Sequence, residues 1–144
     1  MKEKSLFKCR AWDKTTNQMR GCYGFNELER EVYVCSVADD EFNGQLKTVH
    51  ALTRKFDEVV VMQYTGCRDK NGIEIYEGDV IKDKYDKIWL VQWYVGAFVI
   101  TNKIPDSDGQ TSTYSHFSNV SNHHFYYEVI GNMWDNPELL EVVE

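Results

Sequence analysis

Apolar and polar residues alternate with a period of two along most of the chain, the spacing of half-buried strands rather than of helices. Phe7, Cys9 and Ala11 alternate with Lys8 and Arg10. A polar run at residues 13–18 reads as a turn, and Met19, Gly21, Tyr23 and Phe25 then share one face of a second strand. Residues 7–25 therefore predict an N-terminal hairpin. Residues 32–37, rich in valine and tyrosine, predict a third strand, followed by an acidic loop at 39–44. Leu46, Val49, Leu52 and Phe56 lie near helical spacing, although alternation also fits part of this segment; the expectation is one short helix over 46–56. Residues 59–64 are continuously apolar, as in a strand buried on both faces.

Turn signals crowd the middle of the chain. Asn71-Gly72 is a hairpin dipeptide, because both residues tolerate positive φ. Residues 73–76 alternate, and Glu77-Gly78-Asp79 makes a tight turn into residues 80–82, with Gly78 expected at positive φ. Residues 88–94 and 97–100 predict a hairpin with bulky aromatics. Residues 105–124, rich in Ser, Thr, Asn and His, read as a long loop; residues 125–130 form the last strand. Pro137 is placed to open a short terminal helix. Short strands joined by turns predict a mainly β fold, α+β at most: an SH3-like barrel with an N-terminal β-hairpin extension and one or two short helices. Residues 1–144 read as one domain, with 1–57 as the extension and 58–144 as the barrel part.

Charge sharpens this picture. The 144 residues carry 16 basic and 23 acidic side chains, net −7. Residues 1–57 sum to +1 and residues 58–144 to −8. That balance argues against a non-specific nucleic-acid binder, which needs surplus Lys and Arg, and against a polybasic membrane anchor. It leaves room for a local basic patch. No apolar run suits a transmembrane helix or a signal peptide, so a cytoplasmic protein is expected. Cys9, Cys22, Cys35 and Cys67 show no metal-type spacing and are expected as buried free thiols.

Four groups of residues invite a chemical reading. Gly66 and Gly72 are separated by five residues rather than four, with Ile73 following, which fails the phosphate-loop pattern. Glu74, Glu77 and Asp79 form the densest carboxylate cluster, suited by type to a hard divalent cation or to acid–base work. The bland alternative has Asp79 bonding the backbone of its turn while the two glutamates face water. His116, His123 and His124 are the clustered histidines, but adjacent strand residues point apart and no cysteine lies nearby in sequence. Among the aromatics, Trp12 beside Lys8 and Arg10 is the combination of base and ring suited to an anionic or stacking partner; core and subunit packing is the alternative.

Several blocks carry a resemblance. They are Arg10-Ala11-Trp12-Asp13, Met62-Gln63-Tyr64-Thr65-Gly66, the run from Asp69 to Asp79, Glu128-Val129-Ile130-Gly131-Asn132 and Asn136-Pro137-Glu138-Leu139-Leu140. In this order the chain resembles the YopX family, over its whole length. Cys67 stands where that family usually has a larger aliphatic residue. The resemblance implies a bacteriophage or prophage origin and a mainly β fold containing an SH3-like barrel; it implies no chemistry, so no catalytic residue carries over.

Together these readings point to a non-enzymatic binding or assembly module of a bacterial host's cytoplasm. Its expected partners are a second copy of itself or a phage or host protein, with no membrane and no cofactor. Lys8, Arg10 and Trp12 are its candidate binding residues. The alternatives are a metal-dependent hydrolase using Glu74, Glu77 and Asp79, and a nucleic-acid-binding module.

Overall fold

A computed structural model describes residues 8–37, 51–94, 96–101, 114–116 and 127–140. The chain divides into two compact units, Met1–Gln63 and Tyr64–Glu144. The first contains β1 (Cys9–Asp13), β2 (Gln18–Asn26), β3 (Glu31–Cys35), β4 (Ala51–Lys55) and the first half of β5 (Val59–Arg68). All pairings are antiparallel, in the order β4-β3-β2-β1-β5. The two-residue period turns Ala11, Val32, Val34 and Val59 into one buried cluster, joined by Cys22, Leu52, Phe56 and Val61. The other face of β1 carries Trp12, paired in register with Met19; both are buried, as is Met62, opposite Arg10 on β5.

In the second unit, the end of β5 pairs with β6 (Glu74–Tyr76). A five-stranded antiparallel sheet contains β7 (Asp79–Lys82), β8 (Ile88–Tyr94), β9 (Ala97–Thr101), β10 (Tyr114–His116) and β11 (Glu128–Asn132), ordered β10-β9-β8-β7-β11. Both its faces are apolar. Ile81, Val91 and Ile100 cluster with Ile75 on one side. Val80 and Leu90 pack with Leu140 on the other, where Leu140 is delivered by a single 3₁₀ turn, Pro137–Leu140. Complete burial of one such side chain contributes about 1.5–3 kcal/mol.

The mainly β character and the N-terminal hairpin are as expected; four details differ. Among the described residues neither sheet closes into a barrel. The expected helix over 46–56 is strand β4 where it is described: Leu52 and Arg54 alternate with exposed Ala51, Thr53 and Lys55, and the strand pairs with β3. Leu52 and Phe56 do reach one cluster, but because Phe56 opens a 3₁₀ turn, Phe56–Glu58, after the strand. The terminal helix is also 3₁₀, with the Leu139 N–H donating to Asn136 O three residues back. Within the expected loop 105–124, residues 114–116 form a strand against β9; of the expected strand 125–130, residues 125–126 lie outside the described residues, and the described strand runs Glu128–Asn132, two residues further than expected. Residues 39–44, 46–50, 105–113 and 117–124 lie outside the described residues. No described helix is long and apolar enough to cross a membrane.

Candidate functional site

The acidic cluster sits in the second unit, in a turn built from hydrogen bonds. Asp79 is 2% exposed, and its Oδ2 accepts the Tyr76 N–H at 2.8 Å. Gly78, at φ 87°, donates its N–H to Val91 O and accepts from the Met133 N–H. Glu74 accepts from the Tyr76 hydroxyl at 3.4 Å and lies 3.7 Å from the Arg68 guanidinium. Glu77 is half-buried in the same turn. Among the described residues, no three His, Cys, Asp or Glu side chains gather closely enough to hold a metal ion.

The neighbouring aspartates serve the backbone in the same way. Asp69, 4% exposed, accepts the N–H groups of Asn71 and Ile73 on Oδ1 and of Val129 on Oδ2, at 2.8–2.9 Å. It thereby ties the hairpin turn to β11. Asp83 accepts from the Tyr85 and Lys87 N–H groups and from Trp89 Nε1. Burial pushes its carboxyl up, but these donors and the Lys87 charge hold it below the usual carboxylate range.

Lys8, Arg10 and Trp12 occupy one face of the β1 segment by alternation. Lys8 is exposed and Arg10 half-buried, whereas Trp12 is only 8% exposed. The indole is therefore enclosed, and of the three Lys8 is the side chain most open to solvent. Of the histidines, His116 lies on β10 opposite Val99; His123 and His124 are outside the described residues. The cysteines are all free, but only Cys9 is buried; Cys22, Cys35 and Cys67 are half-buried, which corrects the expectation of four buried thiols. Each of these three sits on a strand with a partly open side.

The most concentrated chemistry lies on the inner face of the first unit. Asp13 is fully buried and accepts from two arginines: Arg20 Nε at 3.0 Å on Oδ2, and Arg54 Nε at 3.2 Å on both oxygens. The Thr15 N–H and the Thr16 hydroxyl complete its shell. Burial raises the carboxyl; the Arg54, Thr16 and Thr15 bonds outweigh it and hold Asp13 below its usual value. Arg20, 5% exposed, also donates to the Cys35 and Ser36 carbonyls, Thr16 and Gln18. Beside this network, Cys9 and Cys22 are hydrogen-bonded to each other through their side chains.

Sequence reading missed both features. Asp13 continues the inward set of Cys9 and Ala11, which was the available signal, but the polar run after it assigns it to a solvated turn. On the second unit's surface, Trp93 on β8 is 50% exposed and stands edge-on to its cross-strand partner Phe98, ring centroids 4.9 Å apart at 79°.

The family profile described as "YopX protein" matches residues 8–141. Among solved structures, the crystal structure of protein EF1440 from Enterococcus faecalis is similar at 24% identity and a TM-score of 0.60, covering 96% of this chain and 100% of that one. At that identity the likeness concerns the fold. No curated protein matches the chain.

Proposed function

The chain belongs to the YopX protein family, and on that premise we propose that it is a non-enzymatic binding or assembly module of bacteriophage or prophage origin. The observation that carries the binding role is Trp93. A half-exposed indole, steadied by an edge-to-face contact with Phe98, is an unusual investment on a solvent surface. Tryptophan is among the residues that dominate interface energetics. Covering the open half of this ring, about 100 Å² of mostly apolar surface, is worth about 2.5 kcal/mol. The aspartates support the same reading: buried Asp13, Asp69 and Asp79 and half-buried Asp83 all hold backbone or arginine donors in place.

The partner in this proposal is a second copy of the chain, with Lys8 and Arg10 supplying charge that an acidic surface of the neighbour meets. Light scattering across protein and salt concentration tests it. The expected result is a species heavier than 16.9 kDa that dissociates on Trp93→Ala and weakens with salt. A single chain mass under every condition overturns self-association; a Trp93→Ala variant that assembles like the parent overturns the assignment of the surface.

A further inference from the structure

We propose that Cys9 and Cys22 are a modification site: they close into a reversible intramolecular disulfide by exchange with a low-molecular-weight disulfide. Arg10 pairs with Gly21 across β1 and β2, and Cys9 and Cys22 lie one step further along the same two strands. Directly opposed residues of antiparallel strands have Cα atoms about 4.5–5.5 Å apart, inside the roughly 4.4–6.8 Å span that a disulfide bridges. The two thiols are already in contact, since their side chains are hydrogen-bonded. Cys22 is half-buried and sits at a register shift between Cys22 and Gly24, so it is the sulfur an oxidant reaches first; Cys9 is 7% exposed behind it. Cys35 is the neighbour of Val34, which faces the buried cluster, so alternation turns Cys35 to the opposite face. It offers no competing partner on this one. Cys67 belongs to the second unit.

The acid–base setting favours the exchange. The Cys9 hydrogen bond, with help from the Gly24 N–H and against burial, brings the Cys22 thiol down to about 7. The same contact, then burial, pushes Cys9 up. The Cys22 thiolate attacks one sulfur of RSSR; the S–S bond breaks, and RS⁻ leaves and takes up a proton as RSH. With Cys22 capped as a mixed disulfide, the thiolate that held the Cys9 proton is gone. Cys9 gives its proton to solvent and attacks Cys22 Sγ, and the second RS⁻ leaves and is protonated. Two protein thiols are oxidised by two electrons, and one RSSR is reduced to two RSH. The product staples β1 to β2 at the end of the hairpin opposite the turn that follows Asp13.

The test equilibrates the full chain in reduced and oxidised glutathione at several ratios, blocks free thiols by alkylation, and reads intact mass and linked peptides. The expected oxidised form is lighter by two hydrogens, links Cys9 to Cys22, leaves Cys35 and Cys67 alkylated, and reverts with excess dithiol. Cys9→Ala is expected to accumulate one glutathione adduct on Cys22. A stable glutathione adduct on the parent without closure, a bond from Cys22 to Cys35, or four alkylated cysteines at every ratio would each overturn the proposal.

Discussion

Replacing Asp13 with Asn removes one negative charge from a site that holds two positive ones. The carboxylate accepts from Thr15, Thr16, Arg20 and Arg54 at 2.9–3.2 Å. An amide keeps one of the two acceptor oxygens and turns an NH₂ group toward a guanidinium N–H. Arg20 cannot escape to water, because its side chain is 6% exposed and is pinned by two carbonyls. Arg54, at 18%, can partly swing out. Breaking a buried pair on one side costs about 3–5 kcal/mol, and the mobility of Arg54 places this case near the low end, about 3 kcal/mol. Urea unfolding with a slope of about 1–3 kcal/mol/M then shifts its midpoint by roughly 1–3 M. Hydrogen exchange assigns the loss to a unit: amides of β1, β2 and β4 lose protection, while those of β7 to β9 do not. A change below about 1 kcal/mol would refute the reasoning, since one arginine alone should cost more. Pairing Asp13→Leu with Arg20→Met should recover most of the stability, because both buried charges leave together. The pH dependence has a definite sign. Asp13 titrates lower when folded than when unfolded. Its contribution is complete above the unfolded value, about 3.9, and is lost as pH falls through the folded value. Asp13→Asn lacks that part of the acid transition.

Four further outcomes are expected. Asp69→Ala removes the acceptor shared by three part-buried N–H groups and should destabilise by about 1–3 kcal/mol, with exchange protection lost at Ile73 and Val129 together; loss at one alone contradicts a shared anchor. Gly78→Val, at φ 87° in a buried turn, should cost about 1–3 kcal/mol in chemical denaturation, and an unchanged midpoint refutes it. Gly72→Asn should cost under about 1 kcal/mol and Gly72→Val at least twice as much, because a Cβ there meets open space and only the backbone conformation, φ 80°, discriminates; equal losses count against this. The alkylation rate of Cys22 should rise with pH about a midpoint near 7, and Cys9→Ala should move that midpoint upward, toward an ordinary thiol.

Alternation made most strands legible, since it marks one face of a strand wherever that face is buried. It was weakest at residues 51–56, where Leu52 and Phe56 share a cluster for two different reasons, a strand position and a 3₁₀ turn. Sheet closure was not legible at all. Whether terminal strands meet depends on stagger and twist, which no local pattern encodes. The carboxylate network and the thiol pair of the first unit were not legible for a related reason. Glu74, Glu77 and Asp79 are close in sequence and conspicuous. Asp13, Arg20 and Arg54 are brought together only by pairing β1 with β2, β2 with β3 and β3 with β4. Cys9 and Cys22 likewise look unrelated until the hairpin register is known.

The turns show how far one local device shapes this fold. Asp69 accepts the N–H groups two and four residues on, Asn71 and Ile73; Asp83 does the same with Tyr85 and Lys87. In both, the aspartate N–H donates to the carbonyl four residues on, and its carbonyl accepts the N–H three residues on. That third residue has positive φ in each case, Gly72 at 80° and Asp86 at 64°. The two turns are thus the same object with a different residue at the left-handed position. Asp13 and Asn26 begin shorter versions, accepting from Thr15 and Glu29, and each is followed four residues later by a left-handed residue, Asn17 and Arg30, at φ 54°. An aspartate or asparagine followed by a residue tolerant of positive φ is a turn signal with a mechanism. Asn71-Gly72 looked distinctive only because glycine advertises itself, whereas Asp86 and Arg30 do the same work at a steric cost of about 1–2 kcal/mol. The block Asp69–Asp79 opens with one instance of this turn, Asp69–Ile73. The first hairpin uses the same device at Asp13, whose buried carboxylate is shared between Arg20 and Arg54.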